Sequence, residues 1–213
     1  YSHALGVRDL PFSEIQSYFP WHCTFLNDAN AGAFAEGIGS DLPSSFFYLS
    51  LSNTVGGAIF HDGNLLPGDT FRCGEAGHMT LIPDGKPCYC GKTGCVDAYC
   101  SARLLSDLSG GRLEDFFLGL QQNNPDYRSV WDTYLKHLAV VINNLHMLLD
   151  YDIVLGGYVG SFLTPWLDTI RHLVAERNTF EDDGSFVKLC TYQTGAAAYG
   201  AAMDVMEEFL RTV

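Results

Sequence analysis

The chain has 213 residues, 47% of them in the hydrophobic class and 13% aromatic, enough apolar material for one domain or two closely packed lobes, which excludes a disordered polypeptide. Asp and Glu outnumber Lys and Arg by 25 to 12, a formal charge of −13, so the surface field repels phosphate backbones and anionic lipid and disfavours direct nucleic-acid binding by this segment. No apolar run reaches the roughly 18 residues that a bilayer-crossing helix needs, and the N-terminus lacks the basic-then-apolar order of a secretory signal, so no membrane partner is expected and the expected compartment is the cytoplasm.

In chain order, the apolar Cys23, Phe25 and Leu26 predict a strand. The Ala-rich run that follows predicts a helix capped by Asn27 or Asp28, whose side-chain oxygens can take free backbone N–H groups. Phe46–Leu51 and Ala58–Phe60 predict a hairpin with its turn at Gly56 and Gly57, and Asp62-Gly63 predicts a second turn. Polar loops are expected at Ser109–Gly111 and Gln121–Asp126. Between Ser129 and Asp150, Val130, Tyr134, Leu138, Val141, Leu145 and Leu148 recur at helical spacing and predict a long, largely buried helix. It leads into "YDIVLGGYVG", a short strand ending in glycines, then a helix around Leu163–Arg177. "SFVKLCTYQTG" supplies one more strand and "AAAYGAAMDVMEEFL" a terminal helix. Strand, Gly-rich turn and helix in that order indicate an α/β fold.

The seven cysteines are odd in number and unevenly spread, which argues against a disulfide framework and for thiols that sit in the core or hold a metal. His78, Cys88, Cys90 and Cys95 are separated by ten, two and five positions, in a stretch where Gly85, Pro87, Gly91 and Gly94 let the backbone fold around a point. Four such ligands suit a closed, structural, tetrahedral zinc. The alternative is a loop of unligated thiols with His78 capping a turn. Cys73 and Cys100 flank the set and can compete as ligands; these two, with Cys23 and Cys190, otherwise read as ordinary buried thiols.

With these residues in view, "GEAGHMTLIPDGKPCYCGKTGCVDAYCS" resembles the signature of the ROK family (repressors, open reading frames and kinases). "LNDANAGAFAE" (Leu26–Glu36) resembles the family's second block, and "IVLGGYVG" and "GAAAYGAAM" match weaker features. The resemblance implies an actin-like, ribonuclease H-like ATPase fold of the sugar kinase superfamily, here its C-terminal lobe with a mixed sheet and flanking helices. Residues 1–45 would end the small lobe, and 46–213 would form the large lobe with a zinc loop at 74–97. It implies that Asn27, Asp28, Glu75, His78 and Asp97 contact a monosaccharide. Asp97 stands where the family usually has Glu, and Asp28 stands at the general-base position of the kinases. It implies zinc on His78, Cys88, Cys90 and Cys95.

"SLSNTVGGAI" resembles a phosphate loop of the kinases, with Ser52, Thr54 and Ala58 in place of three glycines; Gly56, Gly57, Gly156 and Gly157 are the implied phosphate contacts, and Tyr158 alters the later loop. The phosphate motif D-x-G-G-T is expected ahead of Tyr1, which in place of Met reads as the start of a fragment. The function implied first is the sugar-sensing effector part of a ROK-type transcriptional regulator, a homodimer that reaches DNA only through an upstream helix-turn-helix. The alternative is the C-terminal part of a ROK sugar kinase using Mg-ATP, and the plainest reading is a zinc-stabilised α/β domain with no ligand of its own.

Overall fold

The structure, a computed structural model, describes residues 6, 7 and 9–212. A short helix α1 (Phe12–Gln16) precedes α2 (Asp28–Gly39), followed by strands β1 (Phe46–Leu51), β2 (Val55–His61) and β3 (Asn64–Leu65). The long loop after β3 contains a single 3-10 turn at Ala76–His78 and runs into α3 (Asp97–Cys100) and α4 (Ala102–Ser106). Next come α5 (Leu113–Gln121), the long α6 (Pro125–Leu149), β4 (Asp152–Gly156), α7 (Gly157–Gly160), α8 (Leu167–Ala175), β5 (Val187–Leu189) and α9 (Ala196–Leu210).

The five strands form one mixed sheet in the order β3-β2-β1-β4-β5. β1 pairs antiparallel with β2 and parallel with β4, which pairs parallel with β5. A central strand covered on both faces reads as a continuous apolar run, and every residue of β1, "FFYLSL", is buried. Phe47, Leu49 and Leu51 point into the larger core, with Phe116, Trp131, Leu138 and Ile170 of the helices on that side. Phe46 and Tyr48 point the other way, into a smaller core with Ala33, Ala58, Phe60, Val154 and Cys190.

That second face is covered by α2 and α9, and small residues let them lie close. A Cβ at Gly32 of α2 would stand 2.8 Å from the Tyr48 ring, and Gly200 of α9 meets the carbonyl of Ala31. Glu36, fully buried at the far end of α2, accepts the backbone N–H groups of Thr191 at 2.7 Å and Tyr192 at 2.9 Å through Oε1, which pins the approach to α9 against α2.

The terminal helix has the limits the sequence predicts. Helix α6 starts at Pro125 rather than Ser129, because Asn124 Oδ1 accepts the N–H groups of Asp126 and Tyr127, and Pro125 occupies a position where its missing N–H is not needed. The helix expected over Leu163–Arg177 is confined to Leu167–Ala175, behind a 3-10 turn at Thr164–Trp166. The strand expected at Cys23–Leu26 does not form: the Cys23 N–H goes to Gln16 Oε1 at 2.7 Å, and the Phe25 ring stacks on Phe12 with centroids 4.3 Å apart.

The hairpin turn also differs. It falls at residues 52–54, and Gly56 and Gly57 lie inside β2, opposite Ser50 and Leu49. They are glycines for packing rather than turning. A Cβ at Gly57 would stand 2.5 Å from the Phe47 ring and 2.6 Å from the Gly74 carbonyl oxygen.

Candidate functional site

The loop between β3 and α3 has little regular structure, with isolated bridges at Thr80–Cys95 and Pro87–Thr93. Gly91 (φ +85°) and Gly94 (φ +79°) take left-handed conformations that a side chain would resist. This folding brings one ligand atom from each of His78, Cys88, Cys90 and Cys95 within 4.8 Å of one another. All three cysteines are free thiols, and Cys90 Sγ lies 3.8 Å from Cys95 Sγ. A disulfide needs about 2.05 Å. A tetrahedral ion with metal–sulfur bonds of about 2.3 Å needs sulfurs about 3.8 Å apart. The spacing therefore fits a metal site, and the donor set of three thiols and an imidazole can hold an ion.

Burial pushes the Cys88 thiol up to about 12 and raises Cys95 as well. For Cys90 desolvation acts in the same upward direction, but it is outweighed by the Lys92 backbone and by hydrogen bonds from the Cys88 and Cys95 thiols, so this thiol is lowered. Of the flanking cysteines, Cys100 is fully buried behind the loop and Cys73 is half-buried at a cavity described next.

Two cavities reach the N-terminus of α2. The larger, about 270 Å³, is lined by Asp28, by Tyr48 and Ser50 of β1, by Ser52, Asn53 and Thr54 of the hairpin turn, and by Gly157 and Tyr158 on the opposite side. The smaller, about 40 Å³, is lined by Asn27, Gly56, Gly57, Phe71, Cys73 and Glu75. Thus the consecutive residues Asn27 and Asp28 face one cavity each. Asn27 is the helix cap: its Oδ1 accepts the N–H groups of Ala29 at 2.9 Å and Asn30 at 3.2 Å. Its amide N–H₂ remains as a donor for a ligand. The Asp28 carboxylate sits on the first turn of a helix of 12 residues, where the partial positive charge of the free N–H groups favours an anion.

The expected sugar contacts therefore separate into two groups. Asn27, Asp28 and Glu75 open onto the cavities, whereas His78 and Asp97 line neither of them. His78 belongs to the cysteine cluster. Asp97 is 6% exposed and its Oδ1 accepts the backbone N–H of Val55 at 2.6 Å. Burial raises its pKa, opposed by the Val55 N–H, His78 and Arg103.

The expected phosphate contacts separate too. Gly56 and Gly57 open onto the cavity of Asn27 and Glu75, and Gly157 (φ +76°) onto the larger one beside the hairpin turn. Gly156 ends β4 opposite Ser50, with no room for a Cβ beside the Tyr48 ring.

Tyr48, Ser50 and Phe71 are not marked by the sequence motifs, and Cys73, expected as a competing metal ligand or a buried thiol, lines the smaller cavity instead. For Ser50 a signal existed, since a polar residue within "FFYLSL" on the face of Tyr48 marks a break in an otherwise apolar strand. Burial, with Cys190 and Glu36 nearby, raises the Tyr48 hydroxyl well above its usual pKa, so it stays protonated at the floor of the larger cavity.

Comparison with known proteins gives the family and the fold. The model of the ROK family matches residues 1–208. A glucokinase of Halalkalibacterium halodurans is 28% identical over 231 residues, covering 96% of this chain and 70% of that protein. An N-acetylmannosamine kinase of Vibrio cholerae is 31% identical over 144 residues, covering 64% of this chain and half of that protein's length. Among solved structures, a ROK family transcriptional regulator, a homologue of Escherichia coli Mlc, superposes with a TM-score of 0.68 at 21% identity, over 89% of this chain and 54% of that one. The mixed sheet with its flanking helices is the actin-like ATPase fold that solved sugar kinases of this kind share. No helix among the described residues is long and apolar enough to cross a membrane.

Proposed function

The chain belongs to the ROK family, and from that premise we propose that it forms the sugar-binding part of an ATP-dependent sugar kinase in which Asp28 is the general base. The observation that supports this most directly is the placement of Asn27 and Asp28 on two cavities, one shared with Glu75 and the other with the hairpin turn Ser52–Thr54 and Gly157. A phosphoryl-transfer base must stand between the acceptor hydroxyl and the phosphate. Asp28, next to Asn27 and lining the cavity of the hairpin turn, suits that role.

In this reading Asn27 and Glu75 hold sugar hydroxyls by donating and accepting hydrogen bonds respectively. One hydroxyl gives its proton to the Asp28 carboxylate, and its oxygen forms the bond to the γ-phosphorus of magnesium-bound ATP as the bond to the ADP oxygen breaks. Ser52, Asn53, Thr54 and Gly157 border the space that the phosphates occupy. His78, Cys88, Cys90 and Cys95 would hold a structural zinc, which supplies no chemistry to the reaction and stiffens the loop behind Glu75.

A specific observation favours a second reading, the effector part of a ROK-type regulator that senses sugar without phosphorylating it, pairs as a homodimer and reaches DNA through a separate module. Ser52, Asn53 and Thr54 have no left-handed φ, so the turn does not require glycine there, and their side chains add bulk at the lip where a nucleotide would approach. The two readings part on one experiment. The full-length protein is incubated with glucose or N-acetylmannosamine, with and without Mg-ATP, and both sugar phosphate and thermal stabilisation are measured. Sugar phosphate supports the kinase. Sugar-dependent stabilisation with no transfer supports the effector.

A further inference from the structure

We propose that Phe71 is the stacking platform of the sugar cavity, the side chain on which the apolar face of a pyranose ring rests; the proposal rests on the sugar-binding reading above. Among the described residues seven non-glycine positions have positive φ: Asp9, Asp62, Phe71, Asp84, Asn123, Asp150 and Gln193. Six of these carry a carboxylate or amide. Asp and Asn tolerate the left-handed region because their short polar side chains bond locally. Phe71, at φ +57°, has no such means, and a bulky residue in this region is strained.

The ring is also 83% exposed, so the strain is not offset by burial. Among the described residues it stacks on no other aromatic ring. Its backbone is held by a compact turn, in which the Phe71 N–H donates to the Gly68 carbonyl and the Cys73 N–H to the Pro67 carbonyl, both at 3.3 Å. The fold thus uses strained backbone to keep an apolar ring in water, and it does so at the cavity of Asn27 and Glu75. Strain of this kind, when observed, is a pointer to function.

The chemistry around the ring specifies the ligand class. A pyranose offers hydroxyls at its edge and a patch of C–H bonds on its face. Asn27 donates and Glu75 accepts, which serves the edge. An aromatic face is electron-rich and apolar, which serves the C–H patch and withdraws both surfaces from water. An acyclic polyol has hydroxyls for the edge contacts but no preformed C–H face to lay on the ring.

The test uses the full-length protein and two variants, Phe71→Gly and Phe71→Trp, titrated with D-glucose and N-acetyl-D-mannosamine by calorimetry and followed by thermal unfolding. Glycine adopts this φ without strain. Phe71→Gly is therefore expected to melt no lower than the native protein while its affinity for the preferred sugar falls at least tenfold. Phe71→Trp should bind within about threefold of native, with the new indole fluorescence changing as sugar saturates, a signal that a purely structural role would not give. Native protein that binds sugar, with Phe71→Gly binding within threefold of it, would overturn the platform and leave the sugar-binding reading standing. Native protein that binds neither sugar would overturn both.

Discussion

The carboxylate of Asp97 accepts the backbone N–H of Val55 at 2.6 Å, joining the end of the cysteine loop to the first residue of β2. The next two residues of that strand, Gly56 and Gly57, wall the cavity of Asn27 and Glu75. The contact is reinforced where Gly74 packs on the Gly57 carbonyl and Gly77 on the Val55 carbonyl, approaches that no side chain would permit. The cysteine loop and the cavity of Asn27 and Glu75 therefore share a backbone seam, and a change in one is felt in the other. Asp97→Ala leaves the buried Val55 N–H without its acceptor and should lower stability by about 1–3 kcal/mol. Asp97→Asn keeps an acceptor oxygen and should recover part of that loss. Denaturant unfolding of both variants checks this, and an unchanged midpoint for Asp97→Ala would remove the seam from the account.

Elemental analysis should find one zinc per chain, and Cys88→Ser should reduce its retention and destabilise the fold by several kcal/mol, since metal affinity contributes directly to folding. The sign of the pH effect follows from the ligands. Thiols bind metal as thiolates, burial holds Cys88 up to about 12 and raises Cys95, and metal binding must therefore expel protons. Acidification favours the protonated, metal-free form, so zinc should be lost progressively as pH is lowered. Retention that is independent of pH would contradict thiolate ligation.

Glu36 should matter for stability and not for chemistry. Its Oε1 takes two backbone N–H groups from the segment before α9, while its Oε2 is buried with no hydrogen-bond partner among the described residues. Glu36→Ala leaves both part-buried donors without their acceptor and should cost about 2 kcal/mol or more, at about 1 kcal/mol or more for each. Glu36→Gln retains an accepting oxygen and should lose less. Equal unfolding midpoints for the two variants would show that the hydrogen bonds are not what holds α9 to α2.

Much of this architecture was legible because local chemistry and tertiary structure agree. The cap at Asn27, the buried stripe from Tyr134 to Leu145 and the apolar run of β1 each follow from the local sequence and each is present, whereas Leu148 at the end of the expected stripe is 74% exposed. The cysteine cluster was legible as a set because its loop is too polar and Gly-rich to bury thiols without a purpose. What the sequence could not reveal arises from long-range contact. Gly56 and Gly57 have the composition of a turn, yet they are glycines because the Phe47 ring and Gly74 backbone come within 2.6 Å of where a Cβ would lie. Likewise the neighbours of Asp97 give no sign that its carboxylate accepts a backbone N–H 42 residues away. Phe71 gave no sign at all, since neither its φ nor its place beside Asn27 is encoded by its neighbours.

If Asp28 removes a sugar proton, replacing it should slow transfer of the γ-phosphoryl group of ATP to glucose or N-acetylmannosamine, measured by comparing native full-length protein with Asp28→Asn. Removing a positioned general base typically costs about 10²–10⁴ in rate. Transfer by the native protein, a loss of that size in kcat for Asp28→Asn, and sugar affinity changed by less than about tenfold are the results expected of a general-base role for Asp28. Native protein that binds sugar tightly but transfers no phosphate, or an Asp28→Asn variant that transfers as fast as native, would contradict it.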